Sequence, residues 1–191
     1  MTSHPDADDD LDFTAPPKPA PPPPPEKMAS ARKEAATGSP QLAKTGFYVA
    51  MARNAGGRVI PRNGSRYSIF IIEDDKALSE LVGEVLAKGG FLTRFARNRG
   101  EINNEFNKPP LPDLVLLDVK LPDADGFQIL ERIRGNPKIK NLPIIMMTGK
   151  SEVTDVARGL SLGADGYVTK PFKISGLVQA VNTVLGIEEK A

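Results

Sequence analysis

From Tyr67 onward the chain alternates between two hydrophobic patterns. Short, nearly continuous apolar runs occur at about 67–73, 91–96, 113–118, 143–148 and 165–169. The segments between and after them, about 75–88, 98–107, 125–135, 151–162 and 173–186, are longer, and most space their apolar residues three or four apart. The runs predict strands and the longer segments amphipathic helices. The first helical stripe is Leu78, Leu81, Val82, Val85 and Leu86, and Gly89-Gly90 ends it. The later stripes carry Phe127, Leu130 and Ile133, then Val153, Val156, Ala157 and Leu160, then Leu177, Val178, Val181 and Leu185. Strands without polar alternation are buried on both faces, and right-handed crossovers put helices on both sides. The expected fold is α/β, a flavodoxin-like doubly wound (βα)5 sandwich around a parallel five-stranded sheet, order 2-1-3-4-5.

The region before Tyr67 lacks this rhythm. Residues 1–40 contain Pro16, Pro17, Pro19 and Pro21 to Pro25 and too few apolar side chains to offset the entropy of ordering, which predicts a disordered acidic, proline-rich segment. Residues 41–66 read as a basic linker, with a short helix possible over Leu42 to Ala52. The expected folded domain is therefore 67–191, and deletion of residues 1–64 should leave it folded.

Four apolar runs each deliver a polar group at the C-terminal end. Ser68–Ile72 leads to Glu73-Asp74-Asp75, Leu114–Leu117 to Asp118, Leu142–Met147 to Thr148-Gly149, and Asp165–Thr169 to Lys170-Pro171. Sites in open parallel sheets form in the crevice outside those ends, at the point where strand order reverses. In the expected order the first and third strands are neighbours, so Asp74 should lie beside Asp118. Three carboxylates, a hydroxyl and an ammonium in one crevice suit a hard divalent cation and a phosphoryl group. Asp75 reads as the N-cap of the first helix rather than as a metal ligand.

These residues, in this order, resemble the receiver domain of two-component response regulators. The resemblance covers about Tyr67 to Ile187. It implies that Asp118 is the phosphoacceptor, a carboxylate nucleophile forming an aspartyl phosphate. It implies Mg²⁺ (or Mn²⁺) held by Asp74, by Glu73 through water, by Asp118 and by the backbone C=O of Lys120. Lys170 is implied to pair with a phosphoryl oxygen, with a cis peptide to Pro171. Thr148 is implied to donate its hydroxyl to another phosphoryl oxygen and Tyr167 to rotate inward in response, while Gly149 leaves room for the group. The loop Leu121–Gly126 matches the family's loop after the acceptor, and Lys120 and Lys150 flank the site as solvated lysines.

Charge refines this picture. The net charge of +1 conceals a split: residues 1–30 carry six acids and two bases, and residues 31–66 carry seven bases and one acid. The near balance gives no global argument for nucleic acid or a membrane surface. With no cysteine, a disulfide scaffold and thiolate chemistry are excluded. No apolar run approaches transmembrane length and no secretory leader pattern opens the chain, so a cytoplasmic location is expected, and the resemblance implies a bacterial source.

The function expected is a phosphorylation-dependent signalling switch, not a dedicated enzyme. Its donor would be a histidine kinase or histidine phosphotransfer protein. Only Glu188 to Ala191 follow the last helix, so output is expected through protein contact at the helix 4–strand 5–helix 5 face. An alternative is an adaptor whose basic 31–66 segment binds nucleic acid or protein under receiver control. An aspartate-nucleophile phosphatase of the haloacid dehalogenase type is disfavoured, because Asp118-Val119-Lys120 lacks the second aspartate of an Asp-x-Asp pair.

Overall fold

The computed structural model describes residues 12–13, 24–50, 59–62, 64–149 and 153–187. Its elements are α1 (Pro25–Thr45), β1 (Phe47–Val49), β2 (Ser68–Ile72), α2 (Lys76–Lys88), β3 (Leu92–Ala96), α3 (Arg99–Phe106), β4 (Leu114–Asp118), α4 (Gly126–Gly135), β5 (Ile144–Thr148), α5 (Val153–Leu162), β6 (Gly166–Thr169) and α6 (Ile174–Leu185). All ten elements expected from Tyr67 onward are present, within about two residues of their expected ends.

The sheet order is β1-β6-β5-β4-β2-β3. Strands β2 to β6 are parallel and follow the expected order. The sheet has six strands rather than five, however, because β1 adds antiparallel to the free edge of β6. Successive side chains of a strand point to opposite faces, and the core divides accordingly. Phe70, Val115, Met146 and Tyr167 face α3, α4 and α5, whereas Ile71, Leu116, Met147 and Val168 face α2 and α6. Both faces are covered, which is why strand residues are apolar without interruption.

The expected N-terminal boundaries require correction. Residues 25–40 are helical rather than disordered, and the described part of the expected 42–52 helix is split, 42–45 ending α1 and Phe47–Val49 forming a strand. Pro25 suits the first helical turn, where its missing N–H costs nothing. Ala31 and Ala35, one turn apart, are buried in the same cluster as Val156, Ala157 and Leu160 of α5. Gly46, at φ 79°, then turns the chain into the extended run Phe47-Tyr48-Val49. The prolines at 16, 17, 19 and 21–23, and Met51 and Ala52, lie outside the described residues.

Asp12 and Phe13 also touch the folded body. The Phe13 ring stacks on Phe106 at 4.8 Å between centroids, its N–H donates to Asn103 Oδ1, and the Asp12 carbonyl accepts from Arg132. No helix among the described residues is long and apolar enough to cross a membrane.

Candidate functional site

The site lies where β2 separates β3 from β4, so that chain connections leave in opposite directions. Ile72 is level with Leu117, which places the residues after β2 beside the end of β4. On the other flank Asp118 is level with Met147, and Thr148 is level with Thr169. The register therefore gathers Glu73, Asp74, Asp118, Thr148 and Lys170 at one end of the sheet. Asp75 caps α2, accepting from the Leu78 N–H at 3.0 Å, as its position before the helix implied.

Glu73 and Asp118 are buried and Asp74 is exposed, and one oxygen from each lies within 4.8 Å of the others. Lys170 Nζ lies 2.7 Å from Asp118 Oδ2 and 2.5 Å from Glu73 Oε2. The Lys120 backbone N–H donates to Asp118 Oδ1 at 3.3 Å, so both carboxylate oxygens of Asp118 are engaged. Lys170 and Pro171 are joined by a cis peptide bond.

Charge is confined here. Burial pushes the Glu73 carboxyl up, the hydrogen bond from Lys170 opposes this, and the neighbouring Asp118 charge adds to the rise. Burial lowers the Lys170 ammonium, but its hydrogen bonds to Asp118 and Glu73 outweigh that and hold it above its ordinary value. Two carboxylates share one ammonium, leaving one negative charge partly desolvated. All-oxygen donors and an excess of negative charge fit a hard divalent cation.

A cleft of about 690 Å³ opens beside Asp118 between the loops after β4 and β5, lined by Thr148, Gly149, Lys170, Phe127 and Arg158 among others. A Cβ on Gly149 would meet no atom within 4 Å, so the space at that position is open. Gly126 is the opposite case. A Cβ would strike the Asp118 carbonyl oxygen and come within 2.9 Å of Val119 Cα, and the Gly126 N–H donates to Val119 O at 2.9 Å. The start of α4 is thereby pressed against the backbone of Asp118 and Val119.

Tyr167 was expected to move inward upon activation. Here its ring is already fully buried, and its hydroxyl donates to the Asp155 carbonyl at 3.1 Å. Gly159 makes this possible, since the Tyr167 hydroxyl oxygen occupies the place of a Cβ. The sequence reading missed Gly159, Gly126's close approach, and Arg158, whose guanidinium lies 4.2 Å from the Phe127 ring centroid at the cleft wall. A Gly inside a helical stripe is the only signal that marked Gly159. Lys150 lies outside the described residues.

The fold and site together define a receiver-type α/β domain. The family model described as the response regulator receiver domain matches residues 69–182, and the chain belongs to that family, whose members act in phosphorylation-dependent two-component signalling. It is 36% identical over 117 residues to the phosphate regulon transcriptional regulatory protein PhoB of Escherichia coli, covering 61% of this chain and 51% of PhoB. It is 41% identical over 117 residues to the regulatory protein VanRc of Enterococcus gallinarum, covering 61% and 49%. The chain thus spans about half the length of the curated relatives it matches. Among solved structures, the non-phosphorylated HemR receiver domain of Leptospira biflexa superimposes with a TM-score of 0.58 at 29% identity, covering 66% of this chain and 99% of that one.

Proposed function

We propose that Asp118 accepts a phosphoryl group from a histidine kinase or histidine phosphotransfer protein and that the acquired charge alters partner binding. The observation that carries this reading is the Lys170 ammonium bridging Asp118 and Glu73 at the edge of an open cleft. An Asp118 carboxylate oxygen forms the new bond to phosphorus. The bond from phosphorus to the donor's imidazole nitrogen breaks, and its electron pair leaves on nitrogen. Glu73, Asp74, Asp118 and the Lys120 carbonyl would hold Mg²⁺ (or Mn²⁺), which offsets the charge that accumulates on the phosphoryl oxygens. Lys170 exchanges Asp118 Oδ2 for a phosphoryl oxygen, and the Thr148 hydroxyl donates to another. Gly149 leaves the room this needs.

Output runs through the α5–β6–α6 face. Thr148 precedes α5 and Lys170 follows β6, so a group bound between them pulls on both elements. Tyr167 ties β6 to α5 through the Asp155 carbonyl. Binding of nucleic acid or protein by residues 31–66 is less well supported. Arg62 of that stretch is drawn to buried Asp113, its N–H donating to Asp113 Oδ1 at 2.9 Å.

Incubation with acetyl phosphate and Mg²⁺, followed by intact mass, tests the reading. A gain of one phosphoryl group is expected, abolished by EDTA and in Asp118→Asn. Uptake by Asp118→Asn at the wild-type rate would refute the assignment.

A further inference from the structure

The α5–β6–α6 face, from which the proposed function draws its output, is occupied by the chain itself. Strand β1 pairs with β6 along its length, Phe47 with Val168, Tyr48 with Tyr167 and Val49 with Gly166. The ladder continues at both ends, with Ala50 N–H donating to Asp165 O at 2.8 Å and Thr169 N–H to Gly46 O at 2.9 Å. On one face of the sheet α1 lies along α5, burying Ala31 and Ala35. On the other, Phe47 and Val49 join the cluster formed by Leu177, Val181 and Leu185 of α6. A partner approaching the edge of β6 therefore finds every ladder position of Gly166 to Thr169 already taken.

The occupant is not part of the fold it covers. The receiver match begins at residue 69, and the HemR receiver chain is covered almost completely by two thirds of this one. Nor is α1 a strong helix. Gly38 and Pro40 lie in its interior, each unfavourable there, and Pro40 also removes an intrahelical donor. Its contacts are made with small residues: Gly38 has no Cβ because the Tyr48 ring fills that space, and Tyr48 OH ties back to Glu34 Oε1 at 3.0 Å. A helix of this composition persists through docking rather than through propensity.

The docking points adjoin the phosphoryl site. Gly46 is bound to Thr169, immediately before Lys170, and α1 rests on α5, which follows Thr148 and Gly149. Moving Lys170 from Asp118 Oδ2 to a phosphoryl oxygen shifts the end of β6, where the Gly46 contact sits. We infer that Pro25–Ala50 is a displaceable intramolecular occupant of the α5–β6–α6 face, and that phosphorylation of Asp118 loosens it. The coupling rests on the proposed acceptor role of Asp118, whereas the occupancy does not. Because coupling between two sites is reciprocal, detaching the segment should also favour the phosphorylated state.

Amide hydrogen exchange on the full chain, with and without acetyl phosphate and Mg²⁺, tests this alongside intact mass. In the phosphorylated protein, exchange across residues 26–50 should accelerate at least about tenfold, as expected when a weakly held element opens locally. A phosphoryl group on Asp118 with unchanged or slower exchange across 26–50 would overturn the coupling. Absence of any mass gain would refute the acceptor role and the coupling with it. A second arm, Gly38→Val without phosphodonor, forces a side chain into the Tyr48 ring. It should raise exchange across 26–50 while 68–72 and 114–118 keep their protection. Loss of protection in those core strands at the same time would show that the segment is an integral part of the domain, and would overturn the occupancy.

Discussion

Tyr48 of β1 stands opposite Tyr167 of β6, and each fastens a helix: Tyr48 OH donates to Glu34 of α1 and Tyr167 OH to the Asp155 carbonyl of α5. Burial, and then the hydrogen bond to Glu34, push the Tyr48 hydroxyl up from 10.0 to about 12. The neutral form is thus favoured in the docked state. Because the folded value lies above the unfolded one, the contribution is fully present below about pH 10 and is lost as pH rises through 12. Detachment of α1 is expected in that window. Tyrosinate absorbance followed against pH should show a step at about 12, and Tyr48→Phe should remove that step while buried Tyr167, raised further, titrates later still.

Lys170→Met leaves Glu73 and Asp118 facing one another without their shared cation. A cost of about 1–3 kcal/mol is expected at neutral pH, below the 3–5 typical of a fully buried broken pair because Lys170 is partly exposed. The variant should regain stability as pH falls, since Glu73 already has a raised value and its protonation relieves the repulsion. In the wild type the Lys170 contribution is complete below 10.5 and is lost as pH climbs through its raised folded value. Melting temperature against pH for both proteins checks the two directions. A variant that loses stability on acidification from neutral pH would contradict the site's charge balance.

Asp74→Ala separates metal binding from the fold. Asp74 is the exposed member of the acid cluster, so its removal opens no cavity. The metal-free variant should melt at or slightly above the wild-type temperature, since like charges are thinned. Mg²⁺ should raise the melting temperature of the wild type, as any ligand of the native state does, and leave that of Asp74→Ala nearly unchanged. Phosphoryl uptake should fall by at least about tenfold. An equal Mg²⁺ shift in both proteins would remove Asp74 from the ligand set.

The legibility of this chain followed the size of its side chains. Strands β2 to β6 and their helices were readable because Ile, Val, Leu and Phe repeat with clear periods, and the site because polar groups interrupt those runs at their C-terminal ends. The α1–β1 unit was hidden for the opposite reason. Its buried stripe is Ala31, Ala35 and Gly38, residues that do not register as an apolar face, and the neighbouring prolines bias the reading towards disorder. β1 has only three residues, and its partner strand is distant in sequence. The switch-point geometry was legible, whereas the buried position of Tyr167 depends on Gly159 and on docked β1, neither of which a local pattern encodes.

Arg134 has a structural role that no motif marked. From α4 its guanidinium donates to the carbonyls of Gly163, Lys140 and Leu142 and to Asp165 Oδ2, and Asp165 Oδ2 also accepts from Ile144 N–H. The group fastens α4 to the loops around β5 and β6. Arg134→Ala strands those carbonyls and takes the neutralising cation away from largely buried Asp165, which keeps its bond from the Ile144 N–H, so a loss of about 3–5 kcal/mol is expected. Chemical denaturation measures it. Phosphoryl uptake below the melting transition should stay within about twofold of wild type, because none of these atoms reaches Asp118.

Gly126→Ala tests the loop that follows Asp118 and its proposed acceptor role. The change adds one methyl group, and in an open helix position Ala would stabilise relative to Gly by about 0.5–1 kcal/mol. Here the Cβ meets backbone, not a side chain that could rotate away: the Asp118 carbonyl and Val119 Cα lie in its path. Either α4 withdraws, breaking the Gly126 N–H bond to Val119 O, or the 118–120 segment shifts, carrying Asp118 and the Lys120 N–H that binds its Oδ1. Overpacking of this kind costs about 1–3 kcal/mol, so a lowered melting temperature is expected in place of a raised one. Displacement of a nucleophile by a fraction of an ångström is felt more in rate than in stability, and a drop of at least about tenfold in acetyl phosphate uptake should accompany it. A variant that is both more stable and phosphorylated at the wild-type rate would show that the contact between Gly126 and the acceptor backbone does not position Asp118.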